Sequence, residues 1–221
     1  MELGRVLAKE RKHLKHNIRF ICLGAEEIGL HGSRAYCNDH PEFMEKVRFM
    51  LNFDSAGRAG RQGWCLHGWP GLEPLFEDVI KEIGTDLPLW QSVGPYSDHW
   101  PFVLQGVPTA IMGDPDEAAK RAGRGFGHTK YDTVDKVDLR AMRECAGNAV
   151  VLALNILNLD KWPVEHRTKD QIDKLVADQG LDETVRLGVK LKAYLLERKD
   201  SLRPETLVYL DRLSGSWDEV I

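Results

Sequence analysis

An α/β architecture is the fold class that this sequence predicts: a three-layer α/β/α sandwich around a mainly parallel or mixed sheet. Two observations carry it. Short apolar runs of strand character alternate with stretches of helical periodicity. Acidic and polar residues gather directly after those runs, where open α/β sheets place their ligands. Residues 113–135 form a long polar, glycine-rich excursion behind a strand, and a loop of that length without its own structure is usually functional.

In chain order, residues 1 to about 15 read as a helix. Leu3, Val6 and Leu7 give a partial apolar stripe, and Lys9, Arg11, Lys12, His13 and Lys15 crowd its C-terminal end, where the helix dipole favours cations. No capping residue introduces it, so its start looks cut off. Ile18 to Leu23 is a continuous apolar run, as expected of a strand buried on both faces, and the glycine-punctuated turn Gly24-Ala25-Glu26-Glu27 ends it. A helix is expected from Ser33 to Asn38, limited by Pro41. Val47 to Phe53 reads as the second strand and delivers Asp54 at its C-terminal end. A short strand is expected around Cys65 and Leu66, then a helix over Leu72 to Ile83 with Leu75, Phe76, Val79 and Ile80 in register. Pro88 to Pro95 reads as loop. Val107 to Met112 is the third strand, and Leu139 to Leu159 a strong apolar helix. Past Asp160 the chain is more charged, and helical stretches at 181–198 and 204–213 suggest a small helical appendage. The expected division is therefore 1–159 and 160–221.

Composition narrows the function. The 221 residues suffice for one domain with a proper core, and 43% hydrophobic with 29% charged residues is a soluble globular balance. A net charge of −4 leaves no basic footprint for nucleic acid. No apolar run approaches the roughly 20 residues that span a bilayer. Met1 runs into Glu2-Leu3-Gly4-Arg5 without the apolar core of a secretory signal. The four cysteines are scattered and form no CxxC, which argues against a zinc knuckle. Gly24, Gly29 and Gly32 are not followed by the Lys-Ser/Thr of a phosphate loop. No serine has a nucleophile-elbow context.

What remains is a set of oxygen and nitrogen donors at strand ends and in loops. Glu27, Asp54 and His128 are ligand types that divalent zinc accepts, and since neighbours on an irregular turn point in different directions, one of Glu26 and Glu27 could hold a metal while the other moves a proton. Each alone has an ordinary explanation: a solvated acid, a turn former, a surface histidine. Together, at corresponding ends of successive strands, they are harder to dismiss.

Gly24-Ala25-Glu26-Glu27-Ile28-Gly29-Leu30-His31-Gly32-Ser33, Asn52-Phe53-Asp54, Ser97-Asp98-His99-Trp100-Pro101-Phe102 and His128-Thr129 with Asp132-Thr133 resemble, in order and spacing, the co-catalytic zinc aminopeptidases. That family takes in bacterial leucyl aminopeptidases, glutamate carboxypeptidase and, more distantly, glutaminyl cyclases. The resemblance covers residues 1 to about 159. It implies a two-zinc exopeptidase acting on a peptide substrate, with Glu26 as general base, Glu27 and His128 on one zinc and Asp54 on the other. It also implies neighbouring or substrate-pocket roles for Asp98, His99, Trp100 and Asp132, for which capping and turn formation are equally good readings. Trp64, Trp69 and Trp90 could line an apolar pocket, although core packing is the commoner use of tryptophan.

The family pattern places a bridging Asp and a first His upstream of the Glu-Glu strand, and His13 and His16 do not fit them. The resemblance thus implies a chain missing its N-terminal strands, which binds zinc weakly or not at all, has its activity in doubt and exposes sheet edge that favours homo-oligomers. Two alternatives stand beside the aminopeptidase: a glutaminyl-peptide cyclase and a non-catalytic interaction module of the same superfamily.

Overall fold

The computed structural model describes residues 2–58, 60, 62–113, 126, 129–181 and 197. Four strands, β1 (Met50–Phe53), β2 (Gly63–Cys65), β3 (Leu89–Trp90) and β4 (Thr109–Gly113), form one sheet in the order β1-β4-β2-β3. β1 and β4 run parallel with Phe53 opposite Met112; β2 is antiparallel to β4 and parallel to β3. The sheet is therefore mixed, as the sequence allowed. The C-terminal ends of β1 and β4 lie side by side, so Asp54 leaves the sheet next to Gly113.

The chain divides into two compact units, the first comprising Met1–Ile21, Arg48–Gly94 and Pro108–Glu165, the second Cys22–Val47, Pro95–Val107 and His166–Ile221. The first holds the whole sheet with helices α1 (Glu2–Glu10), α4 (Glu73–Ile83) and α6 (Leu139–Asn158). The second holds α2 (His31–Asp39), α3 (Pro41–Met44), α5 (His99–Leu104) and α7 (Lys169–Asp178).

In the first unit, sheet residues Trp64, Leu66, Ala110 and Met112 meet Leu72, Phe76 and Val79 of the α4 region and Cys145 and Leu152 of α6 in one core. The spacing 72-76-79-80-83 keeps one face of α4 apolar, and Gly84 at φ +73° ends the helix by donating its N–H to Ile80 O. Phe76 is wholly buried and its ring meets Trp64 edge-on at 5.3 Å, which stabilises the unit by roughly 2–3 kcal/mol in transfer free energy alone. Gly63 has no alternative residue: a Cβ there would lie 2.1 Å from Pro88 O on the neighbouring strand. Asp138 caps α6 by accepting from Arg140 N at 2.8 Å and Ala141 N at 3.1 Å. Burial pushes the Cys145 thiol up to about 11 and, in the second unit, the Cys37 thiol up to about 12, so both are packed apolar groups rather than nucleophiles.

The expected first strand is not there. Residues 18–23 join no ladder of the described sheet, and Ile18, Phe20 and Ile21 are exposed, with the Phe20 ring lying over Gly4. A strand exists only through its pairing, and an apolar run does not supply the partner. The other expected strands stand, β1 shorter than its apolar run, β2 ending at Cys65 and β4 shifted to Thr109–Gly113, and β3 falls inside the stretch read as loop. Trp64, Trp69 and Trp100 are core residues. In the second unit α2 packs on α5, and Tyr36 stacks on Phe102 at 6.1 Å. α7 opens with a capping box between Thr168 and Gln171. The helices expected at 181–198 and 204–213 fall, but for Leu181 and Glu197, outside the described residues. No described helix is long and apolar enough to cross a membrane.

Candidate active site

Glu26 and Glu27 sit on a single turn of 3-10 helix, Glu26–Ile28, framed by two left-handed residues that are not glycine: Ala25 (φ 59°) and Leu30 (φ 59°). Each such conformation costs on the order of 1–2 kcal/mol. The surroundings over-determine the turn. Glu26 O accepts from Gly29 N at 3.1 Å and Leu30 N at 3.0 Å; Ala25 O accepts from His31 N, and Gly24 O from Gly32 N at 3.0 Å. Gly24 and Gly32 approach so closely that a Cβ on Gly32 would stand 2.4 Å from Gly24 O. The Leu30 side chain is buried and anchors the turn in its unit. Glu26 is half-buried and Glu27 exposed, so the two carboxylates meet different environments, as an irregular turn allows.

Asp54 is exposed directly behind β1, in the first unit. Ser97, Asp98, His99 and Trp100 are all buried in the second unit, where Ser97 O accepts from Trp100 N at 2.9 Å and opens α5. Asp132 is exposed in a turn after Thr129. His128 lies outside the described residues. Two residues that sequence reasoning passed over bear on the turn: Ser33 Oγ donates to Leu30 O at 3.0 Å, and Arg34 Nε donates to Gly29 O at 3.0 Å. The only sequence signal for either was their place at the start of a helix directly behind a glycine-rich turn.

Among the described residues, no three His, Cys, Asp or Glu side chains gather as a metal site. Glu27 and Asp54 each carry a carboxylate, an oxygen donor of the kind divalent zinc accepts.

A family model described as Peptidase family M28 matches residues 1–153. The chain belongs to this peptidase family. Among curated proteins, aminopeptidase YwaD of Bacillus subtilis is 31% identical over 169 residues, covering 70% of this chain and 34% of that protein. Leupeptin-inactivating enzyme 1 of Streptomyces exfoliatus is 28% identical over 139 residues, covering 62% of this chain and 31% of its own length. The chain thus spans about a third of the length of these two relatives. In fold it is similar to the LapA aminopeptidase of Legionella pneumophila (TM-score 0.61, 22% identity, 72% of this chain and 44% of that one). It is also similar to BSAP, a zinc aminopeptidase from Bacillus subtilis (TM-score 0.58, 23% identity, 74% and 42%). The α/β class is that of these neighbours.

Proposed function

We propose that this chain carries catalytic residues of a zinc-dependent exopeptidase, an aminopeptidase that releases the N-terminal residue of a peptide. The observation that carries the reading is the Glu26–Glu27 turn, held in a strained conformation by its own backbone bonds, inside a family M28 match that spans residues 1–153. Strain of this kind gathers at functional sites and persists only where the surroundings enforce it.

Glu27 and His128 would hold one zinc and Asp54 another. When bound, zinc acidifies water and polarises a scissile carbonyl. Glu26 would take the proton from the attacking water and deliver it to the leaving amine. Its half-buried setting limits competing hydration of the carboxylate without removing access. Asp98 and His99, buried at the start of α5, would orient neighbouring groups; Trp100 is spent on packing.

The test is a pair of variants of the full chain assayed on leucine p-nitroanilide and on an N-terminal glutaminyl peptide, with zinc content measured in parallel. Glu26→Gln should lower kcat about 10²- to 10⁴-fold with zinc content unchanged. Glu27→Gln should lower zinc content first. Cyclisation of the glutaminyl peptide without hydrolysis of the anilide would replace the aminopeptidase by a glutaminyl cyclase. Zinc-independent behaviour of both variants would end the metallopeptidase reading.

A further inference from the structure

The geometry points to Arg34 as a positioning residue for the catalytic turn: its Nε–H bond to Gly29 O holds Glu26 and Glu27 in place. The inference rests on the proposed role of those two carboxylates.

The turn stores strain at Ala25 and Leu30, and Gly29 between them is at φ 123°, a region that favours glycine. Four backbone bonds close on the leading edge of the turn, at Gly24 O, at Ala25 O and twice at Glu26 O. Its trailing carbonyls, Gly29 O and Leu30 O, are held from outside the turn. Arg34 Nε donates to the first, and the second accepts from Ser33 Oγ, on a fully buried residue, and from Arg34 N of α2 at 3.0 Å. One of the two carbonyls belongs to Leu30, a non-glycine residue at φ 59°, and the other to Gly29 beside it, so donors there oppose relaxation of the backbone at Leu30. The Arg34 Nε bond is charge-assisted and so the strongest of these. Arg34 also lines a small cavity of about 110 Å³ with Cys37, Asn38, Pro101, Leu104 and Gln105, between α2 and α5. Arg34 is half-buried on α2, which packs on α5, so the clamp is mounted on a packed helix.

A catalytic base displaced by about 1 Å can cost 10²-fold in rate, so loss of the clamp should act on kcat before it acts on KM. The experiment compares Arg34→Met with wild type by amide hydrogen exchange and steady-state hydrolysis of leucine p-nitroanilide. Exchange at residues 29–32 should rise at least tenfold while exchange in α4 and α6 stays unchanged; kcat should fall about tenfold or more with KM within twofold. Unchanged exchange at residues 29–32 overturns the clamp. Faster exchange with unchanged kcat, or a change carried by KM alone, overturns the positioning role. If Arg34→Met does not fold, Arg34→Ala decides, because it removes every side-chain donor and is a good helix former: wild-type exchange at 29–32 then overturns the proposal. If wild-type chain hydrolyses nothing, the exopeptidase reading fails and with it the positioning role, while exchange still decides whether Arg34 holds the turn.

Discussion

Asp54 and the Glu26–Glu27 pair reach their positions by opposite means. Asp54 follows a strand whose register is fixed by the ladder from Met50 opposite Thr109 to Phe53 opposite Met112, backed by a core of Trp64, Phe76, Met112 and Leu152. Its placement is the sum of many ordinary terms. Glu26 and Glu27 sit on a turn placed by a few hydrogen bonds within eleven residues, from Gly24 to Arg34, working against two left-handed non-glycine residues. Their placement rests on a few unusual terms. A site held by a broad core loses accuracy gradually as stability falls. A site held by a strained turn can lose accuracy with stability nearly intact.

The largest effect should come from the core. Phe76→Ala removes a wholly buried ring in contact with Trp64 and Phe49, and should destabilise the protein by about 3–5 kcal/mol in urea denaturation. A loss below about 1 kcal/mol would mean that the core collapses around the gap, and the contrast with the turn would lose its first term.

Next in size is Gly32→Ala. The new methyl meets Gly24 backbone atoms, O at 2.4 Å and N at 2.7 Å, which cannot swing aside as a side chain would. A cost of about 1–3 kcal/mol is expected, by analogy with overpacking, together with loss of the Gly32 N to Gly24 O bond. Gly24→Ala is the control: a Cβ there meets nothing within 4 Å, so stability should change by less than about 1 kcal/mol. Equal costs at both positions would show that the close approach does not constrain the turn.

The same contrast explains what could be read from the sequence. α4 and α6 follow from apolar periodicity, because each buries a stripe that the spacing of Phe76 and Val79, or Cys145, Ala149 and Leu152, announces. The run at 18–23 carried the same kind of signal and misled, since pairing is a property of two segments and periodicity reports on one. α7 carried a legible signal that went unused, the Thr168-x-x-Gln171 capping box. The site divides likewise. Glu26, Glu27 and Asp54 were recognisable as residue types at strand or turn ends. The left-handed Ala25 and Leu30 were not, because neither residue advertises a positive φ, and the Arg34 bond depends on a carbonyl direction that only the turn creates.

The smallest effect separates stability from function most sharply. Ala25→Gly releases the left-handed cost at the residue that introduces Glu26, on the order of 1–2 kcal/mol, and gives back roughly 0.5–1 kcal/mol as backbone entropy of the unfolded chain. The net should be a stabilisation of a few tenths of a kcal/mol to about 1 kcal/mol, read as a slightly higher urea midpoint. The same freedom lets the Glu26 backbone sample other conformations, so kcat should fall by a few-fold in the variant that unfolds less readily. A variant both more stable and at least as active would show that the strain at Ala25 is incidental to the chemistry, and that the turn is set by Gly29, Leu30 and their donors alone.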